Sequence, residues 1–166
     1  MPTWYGGWNN TVSYKNFDLN VFFRFSGGNK IMNASRQSAL FNMDFSNNGT
    51  EILGRWVSPE QPGDGMTPKI GYGDASSLFN DGYMDSHFVE SGNYLKLSTL
   101  ALGYTLPKAV VSKLNMTKIR FYVQGQNLLT ITGYSGLDPE TNSRLGVDWN
   151  GMPQQRSFTF GANITF

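Results

Sequence analysis

The chain has no cysteine and only one histidine, His87, among its 166 residues. Without cysteine there is no disulfide framework, no thiolate metal site and no thiol nucleophile. A histidine-based triad or a histidine-rich metal centre lacks the partners it needs, and His87 reads as a solvated loop residue. Charge is scarce too. Asp, Glu, Lys and Arg make up 15% of the chain and the formal net charge is +1, so there is no basic field to hold nucleic acid and no acidic tail. No apolar run approaches the roughly 18 residues of a spanning helix, so any membrane crossing falls to strands. The first residues, MPTWYGGWNN, lack the basic-then-apolar order of a signal peptide.

Glycine (19 residues), aromatics (14%) and asparagine are abundant, a mixture suited to strands and turns rather than helices. The length fits one domain with a core. The last ten residues, SFTFGANITF, place Phe158, Phe160, Ala162, Ile164 and Phe166 on every second position, with small and polar residues between. That is an extended strand with one apolar face, uncharged and of the length of a tilted strand crossing a bilayer.

Four further alternating runs precede it, which predicts strands near residues 5–14, 17–26, 93–106, 118–128 and 157–166. Lys15-Asn16 is the turn of a hairpin. In NYLKLSTLALGYTL the apolar phase slips at Ser98-Thr99, which predicts a bulge or a change of surroundings. Pro107 ends that strand, and Lys108 to Asn115 reads as one or two helical turns. Gly27 to Gly92 and Leu128 to Pro153 read as long polar loops. Short and long connections therefore alternate, as in an up-and-down barrel with short turns on one side and long loops on the other. Tyr14, Phe17, Tyr104, Phe121 and Phe166 share the apolar parity near the short-turn ends, the level at which a membrane interface collects aromatics. Asp18, Arg24, Lys96, Arg120 and Gln124 fall on the opposite face. Arg120 on a lipid face would cost roughly 2 to 4 kcal/mol at mid-bilayer, and parity turns it inward.

The run from Asn93 to Glu140, followed by PQQRSFTFGANITF, resembles the C-terminal end of SusC/RagA-family TonB-dependent outer-membrane transporters of Bacteroidetes. YGGWNNTVSYKNFDLNVFFRFSGGNKIMN and LGRWVSPEQPGD resemble the part just before it. The resemblance implies an all-β antiparallel meander forming the last five strands of a 22-stranded, plugged barrel, with periplasmic short turns and extracellular loops. It also implies energy from TonB with ExbB and ExbD, a SusD-like lipoprotein partner, and a glycan or peptide nutrient. The family's signal peptide and plug domain have no counterpart here, so Met1 reads as a truncation or a mis-set start and function attaches to the parent barrel. Alone in a membrane, five strands would leave two unpaired edges at a cost of roughly tens of kcal/mol. In proteins of this resemblance Phe166, a terminal aromatic, is the signal read by the barrel-assembly machinery.

No enzyme constellation and no cofactor is indicated. Asp138, Glu140 and Asp148 carry oxygens suited to a calcium loop, against the alternative that Asp138-Pro139 opens a turn. Trp56 and Trp149 lie in polar stretches, placed to stack on a sugar ring or a partner protein, or to anchor loop cores. The alternative to the importer segment is a secreted all-β module of sandwich type that binds glycans through such tryptophans.

Overall fold

The computed structural model describes residues 1–40, 47–69, 86–141 and 145–166. The chain forms two units. One comprises Pro2–Asn29, Gly92–Gly133 and Gln154–Phe166, and the other Lys30–Ser91 and Tyr134–Pro153 together with Met1.

The first unit is an antiparallel sheet of five strands in sequential order. They are β1 (Trp4–Tyr14), β2 (Phe17–Gly27), β5 (Tyr94–Thr105), β6 (Lys118–Thr132) and β8 (Ser157–Thr165). The expected meander is present, as an open sheet with β1 and β8 at its edges. The phase slip is a bulge: Phe22 and Phe23 of β2 pair with Thr99 and Leu97, leaving Ser98 as the extra residue. On the other side, Leu97 pairs with Leu129 and Thr99 with Gln126, and Asn127 takes a left-handed conformation (φ 53°). Beyond that bulge Leu129 and Ile131 resume the alternation, so β6 runs to Thr132 where the sequence reading began a loop at Leu128.

Both short connections lie at one end of this sheet. Asn16 in the first turn donates from Nδ2 to the Thr105 carbonyl (2.7 Å) and accepts from the Thr105 N–H (2.8 Å). After Thr105 the chain makes a helical turn, α2 (Lys108–Val111), which contacts β6. The Thr117 N–H then bonds the Thr165 carbonyl (2.8 Å), which brings the C-terminus to the same end.

The second unit corrects the reading of Gly27 to Gly92 and of Leu128 to Pro153 as loops. Among the described residues these stretches contain β3 (Lys30–Asn33), α1 (Ala34–Leu40), β4 (Val89–Ser91), β7 (Val147–Asp148) and two 3-10 turns, Thr50–Gly54 and Ser86–Phe88. Residues 41–46 and 70–85 of the first stretch and 142–144 of the second lie outside the described residues. The sheet order is β4-β3-β7, with β3 antiparallel to β4 and parallel to β7. Met32, Ala34, Phe88 and Val147 form its small core, with Ile52 against them. The strands are two to four residues long, too short to show a period, and much of what they bury is polar.

Candidate functional site

The five-stranded sheet has two unlike faces, and its register identifies them. Tyr14 pairs with Phe17, Phe17 with Tyr104, and Tyr104 with Phe121, which makes one cross-strand row. The Phe17 and Tyr104 ring centroids are 4.7 Å apart. The next even rungs carry Val12, Leu19, Leu102, Val123 and Phe160, and beyond them Trp8 stacks on Phe23 at 5.9 Å. This apolar face is the exposed one: Trp8 is 58% accessible, Tyr14 68%, Leu102 45% and Phe160 79%. The polar face is the more buried, with Lys96 at 1% and Ser98 at 8%. Soluble sheets are built the other way round, and a contiguous exposed apolar patch marks a surface that meets a partner or a membrane.

Hydrogen bonds tie the polar face together. Asn20 Nδ2 donates to Asn9 Oδ1 and Thr11 Oγ1, each at 2.9 Å. Arg24 Nε donates to Ser98 Oγ at 2.9 Å, so the bulge supplies the hydroxyl that seats this guanidinium. Arg120 on β6 grips Asp18 on β2 through both its Nε (2.9 Å) and a terminal nitrogen. The strand between them crosses beneath the pair at Gly103, where a Cβ would stand 2.3 Å from the guanidinium and 2.4 Å from Asp18 Oδ1. Gly103→Val is therefore expected to part the pair and cost about 1 to 3 kcal/mol. Urea unfolding of the receptor that carries this segment measures it. In an Asp18→Ser background the cost should shrink; an undiminished cost would mean that Gly103 does not serve the pair.

The second unit holds a cleft of about 260 Å³ whose lining includes Asn33, Ser35, Arg36, Glu51, Ser135 and Asn150. A second hollow of about 320 Å³ is lined by Ala34, Ser35, Ser38, Trp149 and Asn150, so the two share Ser35 and Asn150. Asn33 organises one wall. Its Oδ1 accepts the Arg36 N–H (2.9 Å) as the N-cap of α1, while its Nδ2 donates to Glu90 Oε1 and Ser135 Oγ, both at 3.2 Å. Arg36 donates to both Glu51 oxygens (2.8 to 3.1 Å) and reaches Glu90 at 3.3 Å. These carboxylates hold its guanidinium charged, Glu51 foremost, and raise its pKa. Burial pushes Glu90 up, but the Ser135 N–H and hydroxyl, Asn33 and Arg36 outweigh it and leave Glu90 below the ordinary value. Asp148, the β7 residue that pairs with Asn33, accepts the Tyr134 hydroxyl at Oδ2 at 2.6 Å. Burial, then that bond, pushes the phenol far above its usual range.

The residues singled out from sequence are distributed over both units. Tyr14, Phe17, Tyr104 and Phe121 form the row described above. Opposite Phe121 on β8 stands Ala162, whereas Phe166 follows β8 at the short-turn end and is 84% exposed. Trp56 donates its backbone N–H to the Thr67 carbonyl at 2.9 Å, and its ring lies 5.8 Å from Lys69 Nζ. That loop is pinned by Asp64, whose carboxylate accepts from the N–H groups of Thr67 and Met66 and from the Thr67 hydroxyl. The same bonds, Thr67 first, hold Asp64 below its ordinary pKa. Trp149 sits exposed beside the second hollow. Asp138 is buried, and its Oδ1 accepts the Glu140 N–H at 3.0 Å in a turn. His87, read as solvated, is half-buried with its ring edge-on to Phe88 at 4.9 Å. Among the described residues no three His, Asp or Glu side chains gather in a way that could hold a metal. The sequence reading missed Arg36, Glu51, Glu90 and Ser135; Asn33 before ASRQSAL was the one readable signal, an N-cap at a helix start.

No protein-family model matches the chain. TonB-dependent receptor P3 of Formosa agariphila is 33% identical over 175 residues, which cover 99% of this chain and 16% of that protein. TonB-dependent receptor SusC of Bacteroides thetaiotaomicron is 27% identical over 176 residues, covering 96% of this chain and 15% of that one. Among solved structures, the RagAB peptide transporter superposes with a TM-score of 0.83 at 27% identity, over 98% of this chain and 17% of that one. The RagAB peptide importer in its open-open state gives 0.81 at 26%, over 100% of this chain and 17% of that one. These relatives are receptors of a transport family and not enzymes. The chain is homologous to the SusC/RagA-family TonB-dependent receptors, and it spans about a sixth of their length.

Proposed function

We propose that this chain is the C-terminal barrel segment of a SusC/RagA-type outer-membrane importer, its apolar face against lipid and its polar face toward the lumen. The inversion of the sheet carries the reading: exposed apolar side chains on one face, buried charge on the other. The dimensions agree. Trp4, whose ring lies 6.2 Å from that of Phe25, and Tyr14 stand ten residues apart on one face of β1. That is ~33 Å along the strand, which a tilt of ~40° projects to ~25 Å, the height of the apolar band of such barrels. On this reading Tyr14, Phe17, Tyr104 and Phe121 form the aromatic level at the periplasmic interface, and Phe166 is the terminal residue read during assembly. The long connections face the cell exterior. On this reading the edges at β1 and β8 are closed by pairing with other strands of the barrel.

The importer draws on TonB, ExbB and ExbD, and its cargo is a glycan or a peptide. Likeness to the RagAB peptide importer supports a second component of the RagB/SusD kind. In a receptor whose other cysteines are replaced, single cysteines at adjacent positions of this segment, which has none of its own, test the placement. In outer membranes holding the receptor that carries this segment, Phe160→Cys should resist a charged maleimide until detergent is added. Thr159→Cys, one residue away on the other face, should react at once. Equal labelling of the two in intact membranes would sink the reading and favour a secreted sandwich.

A further inference from the structure

We propose that the short-turn end of the sheet seats the phosphate of an anionic glycerophospholipid, held by Lys15, Lys108 and Lys113 while Val110 and Leu114 rest among its acyl chains. The proposal rests on the membrane reading above and adds to it one class of lipid at one place.

Three observations carry it. The first is where the charge lies. Of the chain's twelve Asp and Glu residues Asp18 alone belongs to the unit that contains the sheet, which holds eight of the thirteen Lys and Arg. Asp18 is already committed to Arg120. Lys15, Lys108, Lys113 and Lys118 are all exposed at the short-turn end. Lys118 shares the parity of Arg120 and so belongs to the polar face. The other three lie in the turns, and among the described residues no carboxylate forms an ion pair with them. Left as they are, three cations face outward with no counter-charge.

The second is their level. Lys15 Nζ stands 5.3 Å from the ring centroid of Tyr14, which opens the aromatic row. Asn16 bonds Thr105 in both directions, so the turn that carries Lys15 is fastened three residues before Lys108. A lysine at such a level lays its stem along apolar surface and carries its ammonium to the headgroups.

The third is the shape of the turn from Pro107 to Met116. The Val110 N–H bonds the Pro107 carbonyl (2.9 Å), the Asn115 N–H that of Ser112 (3.2 Å) and the Met116 N–H that of Val111 (3.3 Å). Asn115 closes it in the left-handed region at φ 53°. Val111 is buried at 2%, yet Val110 is 46% exposed and Leu114, one helical turn on, 53%. A single exposed apolar side chain is ordinary. Two fixed four apart, on a segment that also carries Lys108 and Lys113, repeat in miniature the pattern of a segment lying in a bilayer interface.

The chemistry then selects the ligand. An ammonium is a compact point charge suited to phosphate oxygens. Phosphatidylcholine brings its own cation to its phosphate, so a headgroup with net negative charge, such as phosphatidylglycerol, gains more from the three lysines. A soluble anion would satisfy the lysines and leave Val110 and Leu114 in water.

The test uses the receptor that carries this segment, reconstituted in phosphatidylcholine vesicles with a trace of phospholipid bearing a photoreactive acyl chain. After irradiation, labelled chymotryptic peptides are read by mass spectrometry. The peptide holding Val110 and Leu114 should take about tenfold more label from phosphatidylglycerol than from phosphatidylcholine. Joint replacement Lys15→Gln, Lys108→Gln and Lys113→Gln should bring the two lipids close to parity, whereas arginine at the same positions should keep the preference. On the unchanged receptor, salt at about 1 M, where screening acts within about 3 Å, should also erode it. Equal labelling by both lipids overturns the seat, as does a preference that survives the glutamine replacements or high salt, or stronger labelling by a photoreactive lipid A. In each of those cases label on the β8 peptide around Phe160 leaves the membrane reading standing. Absence of label from both peptides overturns the membrane reading and the seat with it.

Discussion

Leu102→Arg in the receptor that carries this segment is expected to cost about 2 to 4 kcal/mol and to deplete the assembled protein from the outer membrane. Leu102 occupies the middle of the apolar face, between Leu19 and Val123, and is 45% exposed. On a water-bathed sheet an exposed leucine can become arginine at a cost within about 0.5 kcal/mol. On a lipid-bathed one the guanidinium must be buried in hydrocarbon or bend toward the headgroups. The neighbouring position supplies the control. Ala101 pairs with Asn20 and Gln124 on the polar face, so Ala101→Arg should be close to neutral in assembly. The ratio of heat-modifiable to unassembled receptor, with urea titration in detergent, measures both. Equal behaviour of the two variants would count against the membrane placement.

Phe88→Ala should have the largest effect in the other unit, about 3 to 5 kcal/mol. Phe88 has no exposed surface, packs with Met32, Ala34 and Val147, and lies beneath the Arg36 guanidinium at 5.8 Å from its ring centroid. Removing it takes away the largest member of a four-residue core and undercuts the side chain that joins Glu51 to Glu90. Hydrogen exchange is the measurement to make. Amides of β3, β4 and β7 should lose protection while those of β2, β5 and β6 keep theirs. Unchanged protection in β3 would show that the small sheet does not depend on this core.

The sheet was legible in the sequence because period two survives in Phe17 to Phe25, Leu100 to Leu106 and Phe158 to Phe166, and because one face stays apolar throughout. Even the bulge was visible, since Leu97 and Leu100 fall on opposite parity yet share a face. The end of β6 was missed because Asn127 interrupts the backbone just where Leu129 and Ile131 carry the pattern on. The second unit was missed for a different reason. Its strands are held by Asn33, Arg36, Glu90 and Ser135, which read as loop residues in sequence and become interior only when segments far apart in the chain meet. The cleft is of the same kind, since Ser35 lies 113 positions from the Asp148 carbonyl to which its hydroxyl donates. Trp149 stood out as an aromatic in a polar stretch, but nothing nearby in sequence announced its company.

The clasp of Arg120 on Asp18 bears on the order in which the chain is put together. Its members are 102 residues apart and belong to strands that are not neighbours. A chain delivered from its N-terminus presents Asp18 first, then lays Gly103 alongside it, and only afterwards brings the cation. The clasp therefore closes only when three strands stand in their correct order and alignment. A β5 displaced by two residues would put Ala101 or Thr105 beneath it and hold the two charges apart. The clasp is thus a long-range check on register, satisfied only once β2, β5 and β6 are aligned together.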